Sequence, residues 1–203
     1  MPSPILAALF ALTLPMQEPA ALPDGLFVPV TPSETIESVV LGPIFDGYML
    51  CGEHPAGTLT VTGDALGADC QIQSWAEGDG PVFAKPYRTD GRTNEDWYGW
   101  GQDVFSPFDG VVLGTYDNPV VNVPGELGQP PAGMVLIRRA DGVTILLAHV
   151  ADAAVREGDT VQRGQKVGVI GNNGMSRNPH IHIGAYRGTT PLQIRWDLSR
   201  DAG

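Results

Sequence analysis

Residues 178–183 read Asn-Pro-His-Ile-His-Ile. The apolar alternation predicts a β-strand, in which side chains at i and i+2 share a face. His180 and His182 then point the same way, about 6–7 Å apart along the strand, while Ile181 and Ile183 point oppositely. Two imidazoles on one face can converge on one ion or on one reacting carbonyl. The chain has four histidines, so half of them stand in this strand. Taken alone, the stretch also fits an edge strand that carries two solvated histidines.

Working outward, the segments around this strand follow the same grammar. Val135–Arg139 and Val143–Val150 flank Ala140-Asp141-Gly142, a β-hairpin closed by a tight Asp-Gly turn. Gly158 to Gly171 is a series of short strands parted by turn glycines, and Val111-Val112-Leu113 follows Asp109-Gly110. Further upstream, Thr58–Thr62 and Cys70–Gln73 alternate like strands, and residues 76–96 are polar and rich in breakers. No stretch sustains an apolar period of 3.6 residues. With 26 glycines and 18 prolines scattered through 203 residues, the chain is expected to be all-β, an antiparallel sheet or half-barrel. A β-rich N-terminal extension over residues 23–90 precedes the main domain, residues 91–203.

The apolar content is 42%, the charged content 17% and the net charge −11. A folded globular chain fits the first two figures. The acidity argues against nucleic acid or an anionic membrane surface as partner, because no basic patch exists to release counterions. Pro4 to Met16 is an apolar run of thirteen residues, too short to span a bilayer and suited to a signal-peptide core. Residues 1–22 are therefore read as an export signal, with a buried N-terminal helix as the alternative. The mature protein is expected in the periplasm or outside the cell, without stable membrane insertion. Cys51 and Cys70 fit one disulfide in an exported chain, closing a loop of about twenty residues and worth roughly 3 kcal/mol. Two buried free thiols remain the other reading.

The order of the C-terminal blocks resembles the lysostaphin/LytM-type zinc endopeptidases, whose core is a duplicated hybrid motif. Gln102-Asp103-Val104 followed by Pro107-Phe108-Asp109-Gly110-Val111-Val112 is similar to the aspartate block and its P-x-G-x-V strand. Leu147-Ala148-His149-Val150 matches the middle histidine, Gly158 to Gly174 the glycine-rich turn, and His180-Ile181-His182 the H-x-H strand. The resemblance covers about residues 94–190 and leaves the first ninety without a counterpart. It implies a zinc peptidase acting on peptide bonds of bacterial cell-wall peptidoglycan. Asp103 and His182 would be metal ligands, and His149 with His180 the catalytic pair. Zinc would make a nucleophilic water available near neutral pH and polarise the scissile carbonyl.

One ligand is missing from this pattern. The first metal histidine should lie four residues before the aspartate, where Gly99 stands, and no histidine occurs between His54 and His149. Asn94 is taken as the substitute oxygen donor, with Asp96 as its rival, although either suits zinc less well than imidazole. His54 lies inside the Cys51–Cys70 loop and reads as an exposed loop residue. Trp97, Tyr98 and Trp100 fit either a groove wall or a packed rim. The lack of a histidine motivates a second reading, an inactive relative that binds peptidoglycan or activates another cell-wall hydrolase.

Overall fold

The structure is a computed structural model that describes residues 26–30, 35–55, 57–75, 83–197 and 199. The expected signal segment, residues 1–22, lies outside them. The first half contributes β1 (Ser38–Leu41), β2 (Tyr48–Glu53), β3 (Ala68–Trp75) and β4 (Ala84–Lys85). The second half adds β5 (Asp103–Phe105), β6 (Gly110–Tyr116), β7 (Met134–Arg138), β8 (Val143–Ala148) and β9 (Val150–Ala151). Next come β10 (Thr160–Val161), β11 (Lys166–Ile170), β12 (Ile181–Arg187), β13 (Thr190–Pro191) and β14 (Gln193–Trp196). Among the described residues the helical content is one 3-10 turn, Asn94–Asp96.

The largest sheet runs β10-β6-β7-β8-β12-β3-β2, with β13 on β12 and β4 on β3. It is open at both ends and its pairings are antiparallel, so the all-β antiparallel expectation holds. β5-β11-β9 form a second antiparallel sheet, and β1 pairs with β14 in parallel. The predicted hairpin is β7–β8, and Gly142 in its turn has φ 86°, a conformation glycine adopts without a Cβ penalty.

Alternation along the central strands sorts the side chains onto two faces. Val135 and Ile137 of β7, Ile145 and Leu147 of β8, and Ile181 and Ile183 of β12 enter the main core. There they join Val104, Val150, Val167 and Ile170 from the smaller sheet and Leu41 and Ile194 from the β1–β14 pair. Each fully buried Leu, Ile or Val is worth roughly 1.5–3 kcal/mol relative to exposure, so truncating Leu147 at the centre of β8 would cost about 2–5 kcal/mol. Met134, Leu136, Leu146, Ala148 and Tyr186 face the other side and are covered by Leu26. All six residues of β8 are buried, as expected of a strand covered on both faces.

Residues 48–75 continue the sheet that carries the histidines, because β3 hydrogen-bonds to β12 with Asp69 opposite His182. The boundary expected at residue 90 therefore runs through one hydrogen-bonded sheet. The Cys51–Cys70 disulfide is formed and joins directly opposed residues of β2 and β3. Thr58–Thr62, expected as a strand, makes only a bridge between Val61 and Pro29 and then turns. The reason is local: the amides of Asp64 and Ala65 both donate to the Val61 carbonyl, which closes a turn where a strand would need the next partner.

Candidate metal and catalytic site

The histidine strand positions its side chains by register. His182 on β12 lies opposite Asp69 of β3 on one side and Ala148 of β8 on the other. Directly opposed residues share a face and stand closest. Asp69 Oδ1 becomes a focus for imidazole nitrogens: His182 Nδ1 at 3.0 Å, His54 Nε2 at 3.2 Å and His180 Nε2 at 3.5 Å. His54 follows β2 directly, and its amide donates to the Gly67 carbonyl. Its Nε2 does not align into a hydrogen bond with Asp69 and stays buried without a hydrogen-bond partner.

The far nitrogen of His182, Nε2, lies 3.2 Å from Asp64 Oδ1. Burial disfavours a charged imidazole, but hydrogen bonds to Asp64 and Asp69 outweigh it and push the His182 pKa up to about 9. Burial likewise opposes the charge on Asp69, yet hydrogen bonds from His180 and His182 hold its carboxyl well below the usual range.

His149 stands on the other side. It links β8 to β9 with φ 64°, a left-handed conformation uncommon outside glycine, and this turn carries the chain from the large sheet into the smaller one. Its Nδ1 donates to the Asn173 carbonyl at 2.7 Å, which leaves Nε2 as the free acceptor. Burial above all, and then the neighbouring His180, lower its pKa to about 3. The His149 and His180 rings lie 4.6 Å apart between centroids. His180 Nδ1 faces the Asn178 carbonyl at 2.8 Å and the Ser176 hydroxyl at 3.3 Å.

The other expected ligands are elsewhere. Asp103 is exposed on β5 and pairs with Lys166 Nζ at 2.7 Å. Asn94 is buried in an amide network, donating to the Asn122 carbonyl and accepting from Asn172. The Asp96 carboxylate accepts from the amides of Thr89 and Gly91 and so closes its own loop. None of the three joins the histidines. A Cβ at Gly99 would meet Ile170 and Ile72, so a histidine at that position would point into apolar packing. Among the described residues, His54, Asp69 and His182 form the group that could hold a metal ion, their ligand atoms lying within 4.8 Å of one another. The exposed-loop reading of His54 is corrected accordingly: it is half-buried and aimed at Asp69. Trp97 stacks edge-on against Tyr87, and Arg88 lies over Tyr98, so these two rings pack within their own loop.

The donor set suits zinc. Two imidazoles and one carboxylate are among its preferred ligand sets, and the orphaned buried nitrogen of His54 gains a partner when a cation sits there.

Residues 97–194 match Peptidase family M23. Just under half of the chain thus carries the match to peptidase family M23. The M23 match contains His149, His180 and His182, whereas His54 and Asp69 lie outside it. The Peptidoglycan DD-endopeptidase ShyA of Vibrio cholerae is 29% identical over 82 residues, covering 40% of this chain and 17% of that protein. An uncharacterized metalloprotease of Haemophilus influenzae is 28% identical over 98 residues, 47% of this chain and 19% of that protein. The chain thus spans less than a fifth of the length of either curated relative. Among solved structures, the M23 metalloprotease Pseudoalterin is 14% identical with a TM-score of 0.45, over 76% of this chain and 74% of its own.

Proposed function

We propose that the protein is an exported zinc metallopeptidase that hydrolyses peptide bonds in bacterial cell-wall peptidoglycan. The observation that carries the reading is the convergence of His54 and His182 on Asp69 beside the His149–His180 pair. His54, Asp69 and His182 hold the ion in this proposal, in place of Asp103 and Asn94. Bound there, zinc supplies Lewis acidity toward the scissile carbonyl and lowers the pKa of water. The named activity of ShyA supports peptidoglycan as the substrate class.

The remaining work falls to the chain's own groups. His149, neutral at pH 7 because burial lowers its pKa to about 3, accepts a proton at Nε2 from the attacking water. Its hydrogen bond to the Asn173 carbonyl fixes the tautomer. His180 is oriented by the Asn178 carbonyl at Nδ1 and turns Nε2 toward Asp69; when both ring nitrogens carry protons, Nε2 donates toward the oxygen that becomes negative in the tetrahedral intermediate. The C–O bond forms in that addition, and the proton held by His149 then passes to the leaving nitrogen as the C–N bond breaks. In this reading His54 supplies the third donor whose lack motivated an inactive relative.

Digestion of purified peptidoglycan by the zinc-loaded protein tests this reading. New amino termini should be released and should vanish on chelation and in His182→Ala. Stoichiometric zinc with no cleavage, together with sedimentation of the protein on intact peptidoglycan, would favour the inactive binder.

A further inference from the structure

The turn between β2 and β3 touches the site from above, and the family match does not include it. Residues 61–67 are folded tightly, with the Asp64 amide on the Val61 carbonyl at 3.0 Å and the Gly67 amide on the Asp64 carbonyl at 2.7 Å. A strap from residues 26–30 holds the turn down: the Gly63 amide donates to the Leu26 carbonyl, and Thr62 donates to the Val28 carbonyl through both its amide and its hydroxyl. The turn is also seated on β12 itself. A Cβ at Gly184 would stand 1.6 Å from the Gly63 carbonyl oxygen, so only glycine at this position lets the backbone come so close. Gly184 lies two residues after His182 and on the same face, so the turn lands over the His182 ring.

Two of its residues then bracket that ring. Asp64 Oδ1 is 3.2 Å from Nε2. Gly67 lies against the ring edge, where a Cβ would stand 2.7 Å from Cε1 and 2.9 Å from Nε2. The other ring nitrogen, Nδ1, faces Asp69 and the metal-ligating group. We propose that Asp64 is a positioning residue, whose carboxylate accepts the His182 Nε2 proton and so presents a bare Nδ1 to the metal. A carboxylate on the distal nitrogen fixes the tautomer and ring angle of a ligating histidine and raises its basicity. The inference rests on His182 being a ligand.

Zinc affinity of the full chain, measured by competition with a chromophoric chelator, tests it. Asp64→Ala should weaken zinc about tenfold to a hundredfold. Asp64→Asn keeps an oxygen acceptor of the same shape and should recover most of that loss. The visible bands of the cobalt(II)-loaded Asp64→Asn protein should match those of the wild type, because Asp64 is not itself a ligand. If Asp64→Ala does not fold, Asp64→Ser takes its place with the same expectation, since serine suits a turn but is too short to reach Nε2. Zinc affinity of the shortened variant within about twofold of wild type, against the loss expected for a lost outer partner, overturns the inference, as do shifted cobalt bands in Asp64→Asn. Wild type that binds no zinc, or His182→Ala that binds it normally, overturns the ligand assignment instead.

Discussion

His182 sits on β12 and His149 just past the end of the neighbouring β8, yet their surroundings drive them apart. Burial works against a charge on both. At His182 two carboxylates outweigh it and the pKa rises to about 9. At His149 the partner is a backbone carbonyl, His180 adds like charge, and the pKa falls to about 3. The first environment holds positive charge, a proton in the metal-free protein whose place at one ring nitrogen a bound cation would take. The second keeps the His149 ring neutral. The two rings differ because Asp64 and Asp69 both hydrogen-bond His182, whereas His149 meets a backbone carbonyl.

The comparison breaks most visibly at the metal end. His182→Ala should abolish stoichiometric zinc and lower peptidoglycan cleavage by at least about 10³-fold, as the metal's stabilisation of the transition state is lost. Elemental analysis and amino-terminus release read both. His149→Ala should keep its zinc and lose about 10²–10⁴ in turnover, the range for a general base; loss of zinc here would erase the distinction between the two ends.

The next test follows protons in the metal-free protein. The His149 ring should remain neutral by NMR titration from pH 8 down to about pH 4, while an unfolded histidine takes up its proton near pH 6.5. The unfolded state then binds more protons than the native state between about pH 6.5 and 3, so His149 lowers stability as the pH falls through that window. A His149→Gln variant should show a shallower loss of stability there. A native His149 titrating near pH 6.5 contradicts the assigned environment.

The smallest effect belongs to the aspartate that the linear motif favoured. Asp103→Asn should leave zinc content and cleavage within about twofold of wild type and change stability by about 0–1 kcal/mol, since its pair with Lys166 is half-exposed. Loss of zinc in this variant would restore the original ligand.

Asp103 is legible in the linear motif and Asp69 is not, for a physical reason. The H-x-H strand, the His149 block and the Asp-Gly hairpin are local patterns, and they form as expected in β12, the β8–β9 junction and β7–β8. The ligand pair is not local. His54 and Asp69 meet His182 through the register of β2 on β3 and of β3 on β12, and no short spacing announces such register. One signal was present. The expected disulfide pairs Cys51 with Cys70, and in an antiparallel hairpin this brings the residues just after Cys51 next to those just before Cys70. His54 and Asp69 belong to those two groups. Only the pairing of β3 with β12 joins this hairpin to the histidine strand, and that pairing has no signature in the sequence of residues 23–90.

In the proposed site, His54, Asp69 and His182 are the metal's protein ligands. The most direct measurement is the anomalous difference density of zinc-loaded crystals of the full chain at the zinc absorption edge. One strong peak is expected, bonded to one nitrogen each from His54 and His182 and to Asp69 oxygen, at about 2.0–2.2 Å. A peak at Asp103, or at Asn94 or Asp96 with His54 turned away, would contradict it.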